Sequence, residues 1–505
     1  MVKMRKPYNA EKREKLFSCE CFITIILCLQ KVTSLAVKSF DYVVSYEKNA
    51  AQAGTQMTKE KKSFYKTFFA LYIALVCQNV ITLSVNLMDN IMLGAYGESA
   101  LSGVAAVNQV QFVFQQLIMA LGDGLVILCS QYWGKKNVKA MKRIMATAMQ
   151  SAVVIAILLF TAASLCPVQI LKIFSTDDEI IREGVRYLRI IRFTYLFFAI
   201  TQILLASLRS TAVVKIASVL SLITLGINCG INYVLIFGNF GFPRMGVEGA
   251  AIGTLTARIV EVLILVFYIW KKEKNVHLRV KDFFRTDSVM TKDYLKVTLP
   301  IALLSGLWGL NTALQTVILG HMTSAAIAAN SAASNLFLMV KSTAVGAASA
   351  TGIMIGKTIG EGNLERVRTY SKRLQRLFVI IGLVSGTTLF FLRIPVLSLY
   401  KLSPEAMSLA NTFLMILSVV CMTMSYQMPT NNGIIRGGGN TMFVIKMDLI
   451  SIWGIVIPLS FIMAFVVKAS PAVVVCCLNA DQIFKCIPAF LEANYGNWVR
   501  KLTRD

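Results

Sequence analysis

The sequence predicts an all-α polytopic membrane protein with twelve transmembrane helices in two six-helix lobes, related by a pseudo-twofold axis along the membrane normal. Three observations lead there. Of 505 residues, 56% are hydrophobic and only 15% charged, and the mean hydropathy is +0.64, too apolar for a soluble multidomain chain. Twelve apolar runs follow Met57, long enough to cross a hydrocarbon core of about 30 Å at about 1.5 Å per helical residue. The chain also repeats itself at about half its length.

The runs lie at residues 64–93, 104–132, 145–166, 187–208, 213–237, 249–270, 295–320, 328–355, 376–400, 408–427, 442–467 and 471–492. They divide the chain into a first lobe over 63–270, a linker over 271–294, a second lobe over 295–492 and a tail over 493–505. Residues 1–62 form an N-terminal extension. Its apolar run, Phe22 to Leu29, is too short to span, and Gln30 and Lys31 stand where a signal-peptide cleavage site would need small residues. The string MTKEKKSFYK from Met57 reads as the basic start of an inner-membrane protein, so Met57 is expected to be the working initiator. Between the third and fourth runs, KIFSTDDEIIREGVRYLRII alternates charged and apolar groups at helical spacing, which predicts a helix lying along the membrane interface.

The net charge of +25 does not point to nucleic acid, because the basic residues cluster between apolar runs. Lys135, Lys136, Lys139, Lys142 and Arg143 follow the second run, Lys271, Lys272 and Lys274 the sixth, and Lys357, Arg366 and Arg368 the eighth. By the positive-inside bias both termini are expected in the cytoplasm. Most of the eleven cysteines sit in or beside apolar runs without metal-ligand spacing, and only His277 and His321 are present, so neither a disulfide framework nor a metal site is predicted. Without a nucleotide-binding glycine loop, catalytic triad or soluble domain, catalysis has no residues to assign.

A shift of 226 residues superimposes Gly94 on Gly320, Ala106 on Ala332, Gly134 on Gly360 and Asn137 on Asn363. A shift of 227 lays LRSTAVVK, with Arg209, on IRGGGNTM, with Arg436. Each half therefore holds an even number of spans. The halves share one orientation and leave a cleft between them, where transporters place substrate.

Within the first run, Gln78, Thr82, Asn86 and Asp89 step by four, four and three residues, a single polar stripe ending in a carboxylate. The repeat sets Asp89 against Gln315 and Asn86 against Thr312, so the stripe is acidic in the first half and neutral in the second. Cation coupling is expected in the first half. A membrane carboxylate of this kind exchanges a proton or sodium ion, or else caps a helix or pairs with a base. Asn108, Gln111 and Gln115 share one helix face, and Asn330 and Ser334 another; they line the cleft or bridge helices. Asp123, between two glycines, ranks below Asp89.

The strings NLMDNIMLGAYG, SQYWGKKN, LRSTAVVK, NYVLIFGNFGFPRMGVEGAAIGT and IRGGGNT, in that order over twelve runs, resemble the multidrug and toxic compound extrusion family from about Ser63 to Lys501. The resemblance implies export of organic, often cationic compounds by alternating access, driven by protons or sodium ions, with no other cofactor. It implies a monomer in the plasma membrane whose partners are lipid and drug-like small molecules. The DNA-damage-inducible-type branch is most similar, and its ion site falls on Asp89, Asn228, Asn232 and Thr254. Asn232 replaces a second carboxylate, which weakens the case for sodium. Trp308 and Asn440 stand where another branch carries acidic residues, and Tyr72 where the family commonly has a first-helix proline; Pro300 keeps it in the second half. Thr254, Arg258 and Glu261 share a helix face. Glu261 either pairs with Arg258 or supplies the missing carboxylate. A lipid-linked saccharide flippase is the competing function; such exporters usually carry two further spans and a strongly basic cavity.

Overall fold

The computed structural model describes residues 59–504 except 175–176, 273–275, 277–278, 321, 323 and 399–402. Residues 1–58 of the extension, Met57 among them, as well as His277 and His321, lie outside the described residues. Among the described residues, ten helical stretches are long and apolar enough to cross a membrane: Ser63–Tyr96, Ser99–Gly134, Val138–Leu165, Lys215–Phe237, Val247–Lys272, Ala325–Gly360, Leu364–Leu397, Pro404–Ile435, Thr441–Val466 and Pro471–Tyr495. A bent pair, Asp178–Ile191 with Thr194–Ser210, fills the fourth place. The 33-residue helix Ser288–Gly320 fills the seventh. The protein is thus an all-α, twelve-span membrane protein in two lobes.

The repeat is visible in local geometry. Asn137 and Asn363 each cap the helix that follows, accepting the backbone N–H of Ala140 at 3.1 Å and of Arg366 at 3.0 Å, which satisfies a donor the helix itself cannot. One residue earlier in each half the chain turns left-handed, at Lys136 (φ 59°) and Gly362 (φ 79°). The turns after the fourth and tenth spans match too, with positive φ at Ala212 and Gly439.

One expectation is corrected, and two spans that stand as expected are irregular inside. The fourth span is not a single helix over 187–208 preceded by an interface helix; Asp178–Ile191 runs into Thr194–Ser210 with a bend of 53°. The apolar face of its first arm, Ile181, Val185, Leu188 and Ile191, is buried against the second and sixth spans, so protein takes the face that amphipathicity assigned to lipid. The eleventh span is irregular: the α-helix Thr441–Asp448 gives way to wider π-turns over Leu449–Val456 and Ile462–Val466, and Pro458 between them has no N–H to donate. The twelfth is three short helices, Pro471–Leu478, Asp481–Phe484 and Cys486–Tyr495.

The lobes meet tightly at the end where the Lys- and Arg-rich loops lie, here termed the basic end. Gly134 on the second span and Gly360 on the eighth lie against one another's helices, and a Cβ on either would overlap the backbone of Lys357 or Gln131. The first half of the first span is buried in a cluster shared with the second lobe, with Phe64, Phe68 and Tyr72 against Ile353, Phe378 and Ile434. Its second half exposes Thr82, Asn86 and Asn90, so the space between the lobes widens away from the basic end.

The C-terminal segment is more than a tail. Trp498 is buried, the Arg500 N–H donates to Gly438 of the second lobe at 2.8 Å, and Leu502 N–H donates to Gln131 Oε1 of the first lobe at 2.9 Å. Arg504 ends the strap in a two-pronged contact with Asp293, at 2.6 and 2.9 Å.

Candidate functional site

The first lobe holds a polar chain built from three spans. Asp89, three turns from the polar start of its stripe, accepts a hydrogen bond from Asn232 Nδ2 at 2.6 Å. Asn232 and Asn228 lie one turn apart on Lys215–Phe237, and both are fully buried. Asn232 Nδ2 also approaches Asn228 Oδ1 at 3.4 Å, and Asn228 Nδ2 donates to Thr254 Oγ1 on Val247–Lys272 at 3.2 Å. Asn232 Oδ1 is buried without a partner; it sits over Gly253, where any side chain would collide with it. The four residues implied by the family resemblance therefore meet in one place. Apart from Asn232 Oδ1, the amides and the carboxylate satisfy one another, which is what lets them persist together when desolvated.

Beside this chain a pocket is lined by Gln78, Thr82, Asn86, Ser221, Asn228, Thr254, Arg258 and Glu261, with Phe198 as an aromatic wall. Glu261 is buried and accepts a bond from Arg258 Nη1 at 2.7 Å, the first of the two alternatives open in the sequence. The Arg258 guanidinium also lies over the Phe198 ring, 5.2 Å from its centroid. The arginine is thereby paired within its own helix, and among the described residues Asp89 forms no ion pair within 4.0 Å.

Other predicted residues are not brought into this pocket. Asn108, Gln111 and Gln115 are half-buried on the second span and do not line it. Gln315 donates to Asn311 Oδ1 at 3.4 Å, and Asn330 accepts from Ser334 at 3.4 Å; both pairs bridge turns of their own helices in the second lobe.

Two charged features escaped the sequence reading. Asp123 pairs with Arg436 Nη2 at 3.1 Å, first lobe to second. The second lobe, expected to be neutral along its stripe, carries its charges elsewhere: Lys485 is buried between Asp448 at 2.6 Å and Asp481 at 2.9 Å. Gln482, Gln427 and Asn431 extend this network by bonds of 2.6 and 2.9 Å. A signal was present. The 227-residue shift that aligns Arg209 with Arg436 also places Asp448, Asp481 and Lys485 on Ser221, Thr254 and Arg258, three residues that line the first-lobe pocket.

Comparison with known proteins gives a match to the MatE family model over residues 74–234 and 300–462, one segment in each half. The chain is 26% identical over 449 residues to the probable multidrug resistance protein NorM of Thermotoga maritima, covering 88% of this chain and 96% of that one. It is 25% identical over 421 residues to the probable multidrug resistance protein YoeA of Bacillus subtilis, covering 81% and 89%. Among solved structures, a MATE in complex with MaL6 superimposes with a TM-score of 0.77 at 18% identity, over 85% of this chain and 95% of that one. The outward-facing conformation of a multidrug resistance MATE transporter gives 0.75 at 18% identity, over 85% and 94%.

Proposed function

We propose, on the premise that this chain belongs to the MatE family of multidrug and toxic compound extrusion transporters, that it exports organic, often cationic compounds by antiport with protons or sodium ions, and that Asp89 is the coupling group. The observation that carries this reading is the hydrogen-bonded chain Asp89–Asn232–Asn228–Thr254 beside an open polar pocket. A carboxylate held among buried amides costs least when a proton or cation neutralises it. Cargo and coupling ion then compete for one negative charge, and that competition makes the movement an exchange. The oxygens of Asp89, Asn228, Asn232 and Thr254 offer hard donors suited to a sodium ion, but with a single carboxylate; Glu261 is occupied by Arg258. The proton is the favoured ion on that ground. In this reading the basic end faces the cytoplasm, the membrane is the plasma membrane, and the working unit is a monomer.

Ethidium efflux from vesicles under an imposed pH or sodium gradient tests the reading. Wild type is expected to export down one of the two gradients and Asp89→Asn under neither; efflux driven equally well in both proteins overturns it.

A further inference from the structure

The second lobe repeats the framework of the first-lobe pocket with different chemistry. The 227-residue shift puts Asp481 and Lys485 in the places of Thr254 and Arg258, and the 226-residue shift puts Trp308 in the place of Thr82 and Lys341 in that of Gln115. Lys341, on the eighth span, holds its ammonium 5.1 Å from the centroid of the Trp308 ring. Trp308 in turn packs on Phe112 of the first lobe, with ring centroids 5.9 Å apart. This aromatic pair bridges the two lobes between their second and seventh spans, and both rings are half-buried.

The ionic bookkeeping singles out Lys341. Two aspartates and two lysines face this region, but Lys485 alone takes both carboxylates, Asp448 at 2.6 Å and Asp481 at 2.9 Å. Among the described residues no carboxylate lies within 4.0 Å of Lys341. Its ammonium lies over the face of an indole. A membrane cation without a carboxylate partner is costly and marks a ligand pathway by default, and an aromatic face supplies only part of what a counter-ion would.

We infer that Lys341 and Trp308 form a recognition point in the second lobe for a flat aromatic compound bearing an anionic group such as a carboxylate, the indole stacking on the ring system and the ammonium meeting the anion. The inference deepens the export reading and rests on it. The two lobes then differ in polarity: an acidic point at Asp89 and a basic one at Lys341, so a cargo with both charges has a partner on each side. Arg258 does not play the same part in the first lobe, because Glu261 already holds it.

The test uses the full chain in proteoliposomes with two xanthene dyes, rhodamine 19, which carries a free carboxylate, and its ethyl ester rhodamine 6G. Equilibrium binding by fluorescence anisotropy and efflux are measured for both. The expected result is that Lys341→Gln weakens binding of the acid about ten-fold, the worth of one charge-assisted hydrogen bond, and leaves the ester unchanged, while Lys341→Arg keeps the wild-type preference. Equal loss of acid and ester in Lys341→Gln, or no loss of either, overturns the inference while export of the ester leaves the transport reading standing. Export of neither dye by wild type overturns both. Monodisperse elution of Lys341→Gln, together with rescue by Lys341→Arg, separates a lost contact from a lost fold.

Discussion

Asp123 on the second span and Arg436 after the tenth are joined across the two lobes at 3.1 Å. Arg209, the repeat-mate of Arg436, is a buried guanidinium in the first lobe whose Nε has no hydrogen-bond partner, and its terminal nitrogen lies beside Gly122, next to Asp123 in the chain. One carboxylate therefore stands between two arginines of equivalent position, bonded to the one from the opposite lobe. The pair fastens the lobes near the basic end.

Removing that fastening shifts the balance of states. Asp123→Asn is expected to weaken closure at the basic end by about 1–2 kcal/mol, at the lower end because the aspartate is half exposed. Hydrogen exchange at Gln131 and Tyr132, both buried at this contact, would report it as a faster rate. The exchange Asp123→Arg with Arg436→Asp should recover much of the wild-type rate; an unchanged rate in the single variant would show that the pair carries no closure energy.

The glycine contact makes a sharper prediction. Gly360→Ala introduces a methyl group where Gln131 backbone already lies, an overlap that side-chain motion cannot relieve. The basic end should stay open, and export should fall at least ten-fold, equivalent to about 1.4 kcal/mol, with expression unchanged. Substituting Gly362, whose surroundings are open but whose φ is 79°, should cost about 1 kcal/mol of stability and leave export intact.

The C-terminal strap ties the same end by other means. Arg504→Ala removes the contact with Asp293, and deletion from Lys501 also removes the Leu502–Gln131 bond. Both should raise the accessibility of Tyr132 and Gln131 to hydrogen exchange, the deletion more than the point variant. Identical exchange in all three proteins would mean that the strap is passive.

Linker attachment is expected to depend on pH. Asp282 is drawn up by partial burial, but bonds from Lys142 Nζ at 2.8 Å and from the Arg279 backbone N–H at 3.0 Å more than offset this and hold its carboxyl below the usual range. A depressed folded value means that the contribution is fully present above the unfolded value of about 3.9 and is lost as pH falls through the lower folded one. Protease nicking of the linker should therefore rise below about pH 4 in wild type, and already be high at neutral pH in Asp282→Asn.

Much of this protein is legible in its sequence, because a membrane leaves few choices: apolar length fixes the spans, and paired loop residues such as Asn137 and Asn363 fix the repeat. In the candidate first-lobe site Asp89 was legible for the same reason, as a charge in an apolar helix, whereas Asn228, Asn232 and Thr254 came only from the family resemblance. What escaped depended on geometry that hydropathy does not encode. The bend after Ile191 lets an amphipathic helix pack on protein, and the interrupted twelfth span turns Asp481 and Lys485 inward. Glu261 shows the limit from the other side: spacing put it on the face of Arg258, but only the 2.7 Å contact identified the pair as formed.

The most direct test of the central claim is proton movement itself. Proteoliposomes loaded with a pH-sensitive dye are given substrate on one side with no imposed gradient, and the internal pH is followed. Substrate movement should drive a matching counter-movement of protons in wild type, or of sodium in the parallel measurement, and none in Asp89→Asn, whose intact fold is checked by monodisperse elution. Undiminished counter-movement in Asp89→Asn would contradict the account.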